Sequence, residues 1–427
     1  MTAGSPAPTA WSVIRGNGAY RLFLASTLVS FMGSTVHVVA ASWLILRLTG
    51  AAYSVPLLLL FSALPGVLFA PLIGSMVDRL ETRGLLIAVD AASAVAVVTL
   101  PLLSAAGRLQ AWHLYAVEFV LAFLGQLYGP ASKVFVRRLA RPEELLAANA
   151  TVTLVYQLGI AFGALAAGLL VALAGPSTGL LVNAVSFALS GVGMVLVGRT
   201  RGWAEAPPPE PPPEPDGPRR RGLAGSIART YSTVLSTPRV LHMTALFLWL
   251  QCMHRLLSSL LAPFVASGGQ GPGTQGALQM GYSLGAVAAG AAVPVLARRL
   301  GQTGMLLLGS VGVAALVALF PLVGVPWLAV LDYAAAGLAI GTWVYDLTEA
   351  QQEVPVGLQG RYFAATGALQ SLGGIGVFLA GTVLLRVLDP ATVYVLGAAL
   401  LAAVSLPSVL LLGRHPATAG TLTSRQG

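Results

Sequence analysis

Residues 145–198 read LLAANATVTLVYQLGIAFGALAAGLLVALAGPSTGLLVNAVSFALSGVGMVLVG, with no Asp, Glu, Lys or Arg anywhere in the stretch. A water-facing helix needs a polar face, and this segment supplies none. A helix crossing the hydrocarbon core of a bilayer needs about 20 mostly apolar residues. The stretch is too long for one such helix, and Gly175-Pro176-Ser177-Thr178 breaks it near its middle. It therefore reads as two consecutive membrane spans.

The rest of the chain has the same character. Of 427 residues, 56% are hydrophobic and 9% are charged, against roughly 25% charged in an ordinary soluble domain. So few charges cannot cover a water-facing surface of this size. The single cysteine, Cys252, excludes an intrachain disulfide. The first 20 residues lack the apolar core of a cleavable signal, and the run that follows is long enough to be a span.

Working outward, four spans precede the stretch. They cover Arg21 to Arg47, residues 52–77, about Leu85 to Leu103 with Asp90, and about Trp112 to Tyr128 with Glu118. Six follow it. They run from about Val240 to Phe264 with His254 and Arg255, Gln275 to Ala297, Gly304 to Leu322, Trp327 to Tyr345 with Asp332, Tyr362 to Leu385, and Ala391 to Leu412. The fold class is an all-α membrane protein with twelve transmembrane helices in two six-helix bundles.

Basic residues set the orientation, because Lys and Arg are retained on the cytoplasmic side. With both termini inside, 20 of the 24 basic residues are cytoplasmic. Only Arg47, Arg108 and Arg386 are outside, and Arg255 lies within a span. The formal charge of +9 is thus a topology signal. It suits anionic membrane lipid better than nucleic acid.

Residues 203–221, WAEAPPPEPPPEPDGPRRR, cannot form a helix and favour an extended, semi-rigid connection. Behind them, Leu223, Ile227, Tyr231, Val234 and Leu235 recur at helical spacing and suggest a helix lying on the inner leaflet. The division is residues 1–200 as one bundle, 201–235 as linker and interfacial helix, and 236–427 as the second bundle with its tail.

The halves look related. Gln157, Gly163 and Gly168 in span five recur as Gln370, Gly376 and Gly381 in span eleven, each 213 positions on. Pro142 and Pro355 share that offset, while Arg79-Leu80 with Gly84 recurs as Arg299-Leu300 with Gly304, 220 positions on. A two-half repeat is a recognised transporter architecture, with the substrate site near mid-membrane. The glycines let helices approach closely.

The loop after span two, Gly74-Ser-Met-Val-Asp78-Arg79-Leu-Glu81-Thr-Arg83, resembles the signature loop of the major facilitator superfamily. Tyr128-Gly-Pro-Ala, Ala147-Ala-Asn149-Ala, Leu181-Val-Asn183-Ala-Val-Ser186-Phe187 and Gln352 to Arg361 resemble its enterobactin-exporter and macrolide-efflux branch. The resemblance implies that spans one, four, seven and ten line a central cavity. It also implies that Gly74, Asp78, Arg79 and Arg83 form a conformational latch, in which a carboxylate meets the positive end of a helix in one state only. The alternative is a solvated loop that fixes topology by charge. Three departures stand out. Gly33 is followed by Ser34 instead of an acid, Gly163 by Ala164 instead of proline, and the arginine common in span four of drug antiporters is missing.

A charge at mid-bilayer costs about 2.5–3.5 kcal/mol on insertion scales, so one that persists there marks a function or a partner. In span one, Ser30, Ser34, His37 and Ala41 share a helix face. Glu118 stands alone among apolar residues in span four and suits a group that binds and releases a proton; its alternatives are a structural hydrogen bond or a position close to the outer surface. In span seven, Gln251, His254, Arg255 and Ser258 share a face, and Arg255 needs an anion, either Glu118, Asp332 or an acidic substrate. Trp343 shares a face of span ten with Asp332, and like Trp43 and Trp249 it is at a depth to stack on substrate, the alternative being an interfacial anchor. Asp90 reads as peripheral. The proton-coupling candidates are Glu118, Asp332, His37 and His254. The substrate-cavity candidates are Ser34, His37, Glu118, Gln251, His254, Arg255, Asp332 and Trp343.

No phosphate-binding loop and no metal-ligand cluster occurs, and no cofactor is implied. Gly281-Tyr-Ser283-Leu-Gly285 matches a nucleophile-elbow pattern but lies inside a charge-free span. The expectation is a monomeric secondary exporter in the bacterial inner membrane, not an enzyme, moving a small amphipathic drug, macrolide or siderophore-like molecule against protons. A proton-independent carrier of lysophospholipid-like solutes and a non-transporting adaptor using the proline-rich linker are the alternatives.

Overall fold

The computed structural model describes residues 10–69, 73, 76, 80–141, 144–200, 238–343, 354 and 356–413. Among these, nine helices are long and apolar enough to cross a membrane, and three shorter apolar helices, Ser54–Leu68, Pro326–Ile340 and Leu369–Leu384, occupy the remaining positions of a twelve-span chain.

The helices of the first half are α1 (Gly18–Thr49), α2 (Ser54–Leu68), α3 (Thr82–Ala105), α4 (Ala111–Leu139), α5 (Leu145–Ala174) and α6 (Pro176–Val197). Those of the second are α7 (Pro238–Ser267), α8 and α9, α10 (Pro326–Ile340), α11 (Val356–Leu384) and α12 (Pro390–Gly413). Helical hydrogen bonding runs unbroken over Pro272–Leu307, but Gly301 inside it has φ 62 and ψ −175. That break divides the run into α8 (Pro272–Gly301) and α9 (Thr303–Leu322). A π-turn at Leu308–Gly312 interrupts α9, which the apolar pattern alone reads as regular.

Local chemistry explains several ends. Asn17 caps α1, its Oδ1 accepting from Tyr20 N at 2.9 Å, while its Nδ2 donates to Leu139 O at 2.6 Å and ties α1 to the end of α4. Gly50, at φ 65, closes α1 in the left-handed conformation. Proline lies inside α2, α3, α4, α7, α8 and α12, which neighbouring helices in a membrane bundle can accommodate.

The chain divides into two compact units. One holds residues 1–217, 258–283 and 374–390; the other holds 218–257, 284–373 and 391–427. In the first, α1 packs on α5 and α6, α3 on α4 and α6, and α2 on α4. The α1–α6 contact is built on small residues. A side chain at Gly33 would strike Ser186, one at Gly193 would strike Ser26, and a Cβ at Gly179 would stand 2.9 Å from that of Ala40. Tyr20, Phe23 and Phe135 fill the core of this unit, the last two with ring centroids 5.5 Å apart. Large apolar side chains such as Leu169, Leu173, Leu189 and Val192 are exposed, as a lipid-facing surface requires.

In the second unit, Thr244 and Tyr362 join their hydroxyls at 2.9 Å, and Tyr394 donates to Leu257 O at 2.9 Å. A side chain at Gly285 would strike the backbone of Ala334, which brings α8 close to α10.

Candidate functional site

A cavity of about 380 Å³ opens within the first unit. The α1 face read from the sequence supplies Ser30, Ser34 and His37. Asp90 and Ser93 come from α3, Glu118 and Tyr128 from α4, Tyr156 from α5, and Asn183 and Phe187 from α6. On its wall His37 Nε2 lies 2.6 Å from Glu118 Oε1, with the two side chains 4% and 11% exposed. Glu118 thus has an imidazole partner on α1, which its isolation in the sequence did not disclose.

The pair has a definite proton chemistry. If Nε2 carries the hydrogen and donates to the carboxylate, the pair bears one negative charge. His37 Nδ1 then presents a lone pair, and that atom is buried without a hydrogen-bond partner. A proton arriving there gives imidazolium beside carboxylate, and the pair becomes neutral. One proton therefore changes the charge of the cavity wall by one unit.

Asp90 corrects the sequence reading. It is 1% exposed and lines this cavity, with Ser190 Oγ donating to its Oδ2 at 2.8 Å. Helix α3 is pinned to α6 there, so its acid faces protein and not lipid.

Of the latch residues, Gly74, Asp78 and Arg79 lie outside the described residues. Arg83 donates through Nε to Met194 O at 3.1 Å and through Nη2 to Val195 O at 3.3 Å, placing a cation on the carbonyl end of α6. Glu81, which sequence reasoning passed over, caps α3 by accepting from Arg83 N at 2.8 Å and from Gly84 N. It also lies 3.7 Å from Arg138 at the end of α4.

In the second unit, Asp332 is 8% exposed and both of its carboxyl oxygens lack hydrogen-bond partners, so the Asp332–Arg255 pairing is not formed in this structure. Gln251, His254 and Arg255 are half-buried, and Trp343 packs on Phe247 with centroids 5.5 Å apart. Ser283 of the elbow-like pattern bonds Gln279 O one turn back, an ordinary helical arrangement.

The packing residues divide. A Cβ at Gly163 would stand 2.8 Å from Met32 O, and one at Gly168 2.9 Å from Gly276 Cα, so α5 presses on α1 and on α8. Gln157 and Gln370 are half-buried and Gly381 is buried. Among the described residues nothing lies within 4 Å of a Cβ built at Gly376, so no close helix approach occurs there in this structure.

Among the described residues there are nine long and three shorter apolar helices and a buried imidazole–carboxylate pair beside a cavity, the arrangement of a membrane-embedded binding site. A family model described as Major Facilitator Superfamily matches residues 23–378, and the chain belongs to that superfamily. The multidrug efflux pump Tap of Mycolicibacterium fortuitum is 29% identical over 180 residues, covering 40% of this chain and 44% of that protein. Tap of Mycobacterium tuberculosis (strain ATCC 25618 / H37Rv) is 30% identical over 177 residues, covering 40% and 42%. The chain spans less than half the length of these relatives. Among solved structures, the nucleoside transporter NupG aligns with a TM-score of 0.69 at 13% identity, over 93% of this chain and all of that one. A bacterial homologue of ferroportin aligns at 0.66 and 16% identity, over 93% and 98%. Both share the fold.

Proposed function

We propose that this protein exports a small amphipathic molecule across the bacterial inner membrane, driven by proton entry. The observation that carries the reading is the His37–Glu118 pair at 2.6 Å on the wall of an interhelical cavity. It is a protonatable switch where substrate and proton can compete, and it stands in for the acid missing after Gly33. Phe31, Tyr156 and Phe187 give the cavity flat apolar faces for an amphipathic molecule. The partial similarity to Tap, a multidrug efflux pump, supports the outward direction.

In this reading both termini are cytoplasmic, the protein works as a monomer in contact with anionic lipid, and residues 1–200 rock against 236–414 about a central site. Closure at the extracytoplasmic end is supported by three contacts inside the first compact unit that join residues distant in sequence. Trp43 Nε1 donates to Gln275 Oε1 at 2.6 Å, the α5 and α8 backbones meet at Gly168 and Gly276, and Arg386 stands 5.1 Å over the Tyr53 ring. Outward release requires these to part.

The test is accumulation of a panel of amphipathic compounds in cells producing the protein or an inactive control, with and without a proton uncoupler. Lower accumulation of at least one compound, abolished by uncoupler, supports the reading. Equal accumulation across siderophore, macrolide and cationic-drug classes overturns it.

A further inference from the structure

We propose that Asp90 is a second proton-binding carboxyl of the same cavity, acting separately from the His37–Glu118 pair. The inference deepens the proton-coupled reading, and its test is independent of export. Asp90 is more deeply buried than Glu118, at 1% against 9% exposed. Its surroundings are hydroxyls instead of a base. Ser190 of α6 donates to Oδ2, and Tyr128 of α4 and Ser93 of α3 line the same cavity.

The charged and titratable groups of the cavity are few. Among the described lining residues, His37 is engaged with Glu118, Lys133 is exposed, and Tyr128 and Tyr156 are the other titratable groups. Among the described residues no ion pair joins Asp90 to His37 or Lys133, and its Oδ1 is buried without a hydrogen-bond partner.

Among the described residues no cation pairs with this carboxyl, and a carboxylate held so in the membrane carries an uncompensated charge. One proton on Oδ1 removes that charge. It also gives an oxygen that lacks a hydrogen-bond partner a hydrogen to donate. The step is simple protonation, with nothing oxidised or reduced. A purely structural role would need only the acceptor that Ser190 uses, which an amide oxygen supplies equally well.

The experiment is infrared spectroscopy of the detergent-purified full chain as pH is varied, reading the carbonyl stretch of protonated carboxylic acids. The wild type is expected to show a band that weakens as pH rises. That band is lost in Asp90→Asn, where Ser190 keeps an acceptor, and it persists in Glu118→Gln. Ser190→Ala provides a second variant that leaves the carboxyl in place, and it should shift the band without removing it. Spectra of wild type and Asp90→Asn that coincide at every pH would overturn the proposal, as would a band unmoved in Ser190→Ala. Loss of uncoupler-sensitive export with the Asp90 band intact would instead count against the export reading alone.

Discussion

His37 on α1 and Glu118 on α4 stand 81 positions apart in the sequence and meet at 2.6 Å in a buried interhelical contact. Removing one partner of a buried pair costs about 3–5 kcal/mol. His37→Ala should therefore lower thermal stability sharply, while His37→Gln/Glu118→Gln, which keeps a neutral hydrogen bond, should recover most of it. Thermal unfolding in detergent checks this. Equal stability of His37→Ala and wild type would show that the contact contributes little.

Arg83 should act mainly as a cap on α6. A cation at a helix carbonyl end contributes about 0.3–1 kcal/mol when exposed and up to about 2 when partly buried. Arg83→Leu is expected to lower the unfolding midpoint modestly, with partial rescue in Arg83→Lys. A large loss of transport with unchanged stability would favour the latch role over the cap.

Glycine positions should separate by the space around them. Gly33→Leu and Gly163→Val force atoms into Ser186 and into Met32 with Thr35, and overpacking of this kind costs about 1–3 kcal/mol or more. Both should reduce the yield of monodisperse protein, whereas Gly376→Ala should be close to neutral. Size-exclusion profiles and unfolding midpoints read the difference.

Trp43 and Gln275 should be separable only when the transporter opens outward. In a Cys252→Ser background, Trp43→Cys/Gln275→Cys joined by a short thiol crosslinker is expected to stop transport, and reductive cleavage of the crosslink should restore it. Undiminished transport in the crosslinked protein would show that the contact need not part.

The fold was legible because lipid imposes a length rule on apolar runs. Residues 145–198 could be two spans and nothing else. The cavity face of span one, Ser30, Ser34 and His37, was legible from helical spacing for the same reason. What spacing cannot give is the neighbour. That Glu118 meets His37, and that Asp90 is tied to Ser190 and not set at the lipid edge, depends on which helices pack together. Tight glycine contacts lie between α1 and α6, at Gly33 and Gly193, and between α8 and α10, at Gly285, whereas internal repetition directed attention to spans five and eleven. Arg83 illustrates the same limit. Its charge was plain, but its partners are backbone carbonyls of Met194 and Val195, more than a hundred positions away.

The central claim is that protonation at the His37–Glu118 pair drives transport. It is tested most directly by reconstituting the purified protein in liposomes with a substrate identified from the compound panel and imposing a pH difference. Wild type should move substrate against its gradient while protons flow the other way, and Glu118→Gln should catalyse only downhill exchange. Uphill transport by Glu118→Gln at the wild-type rate would contradict the claim.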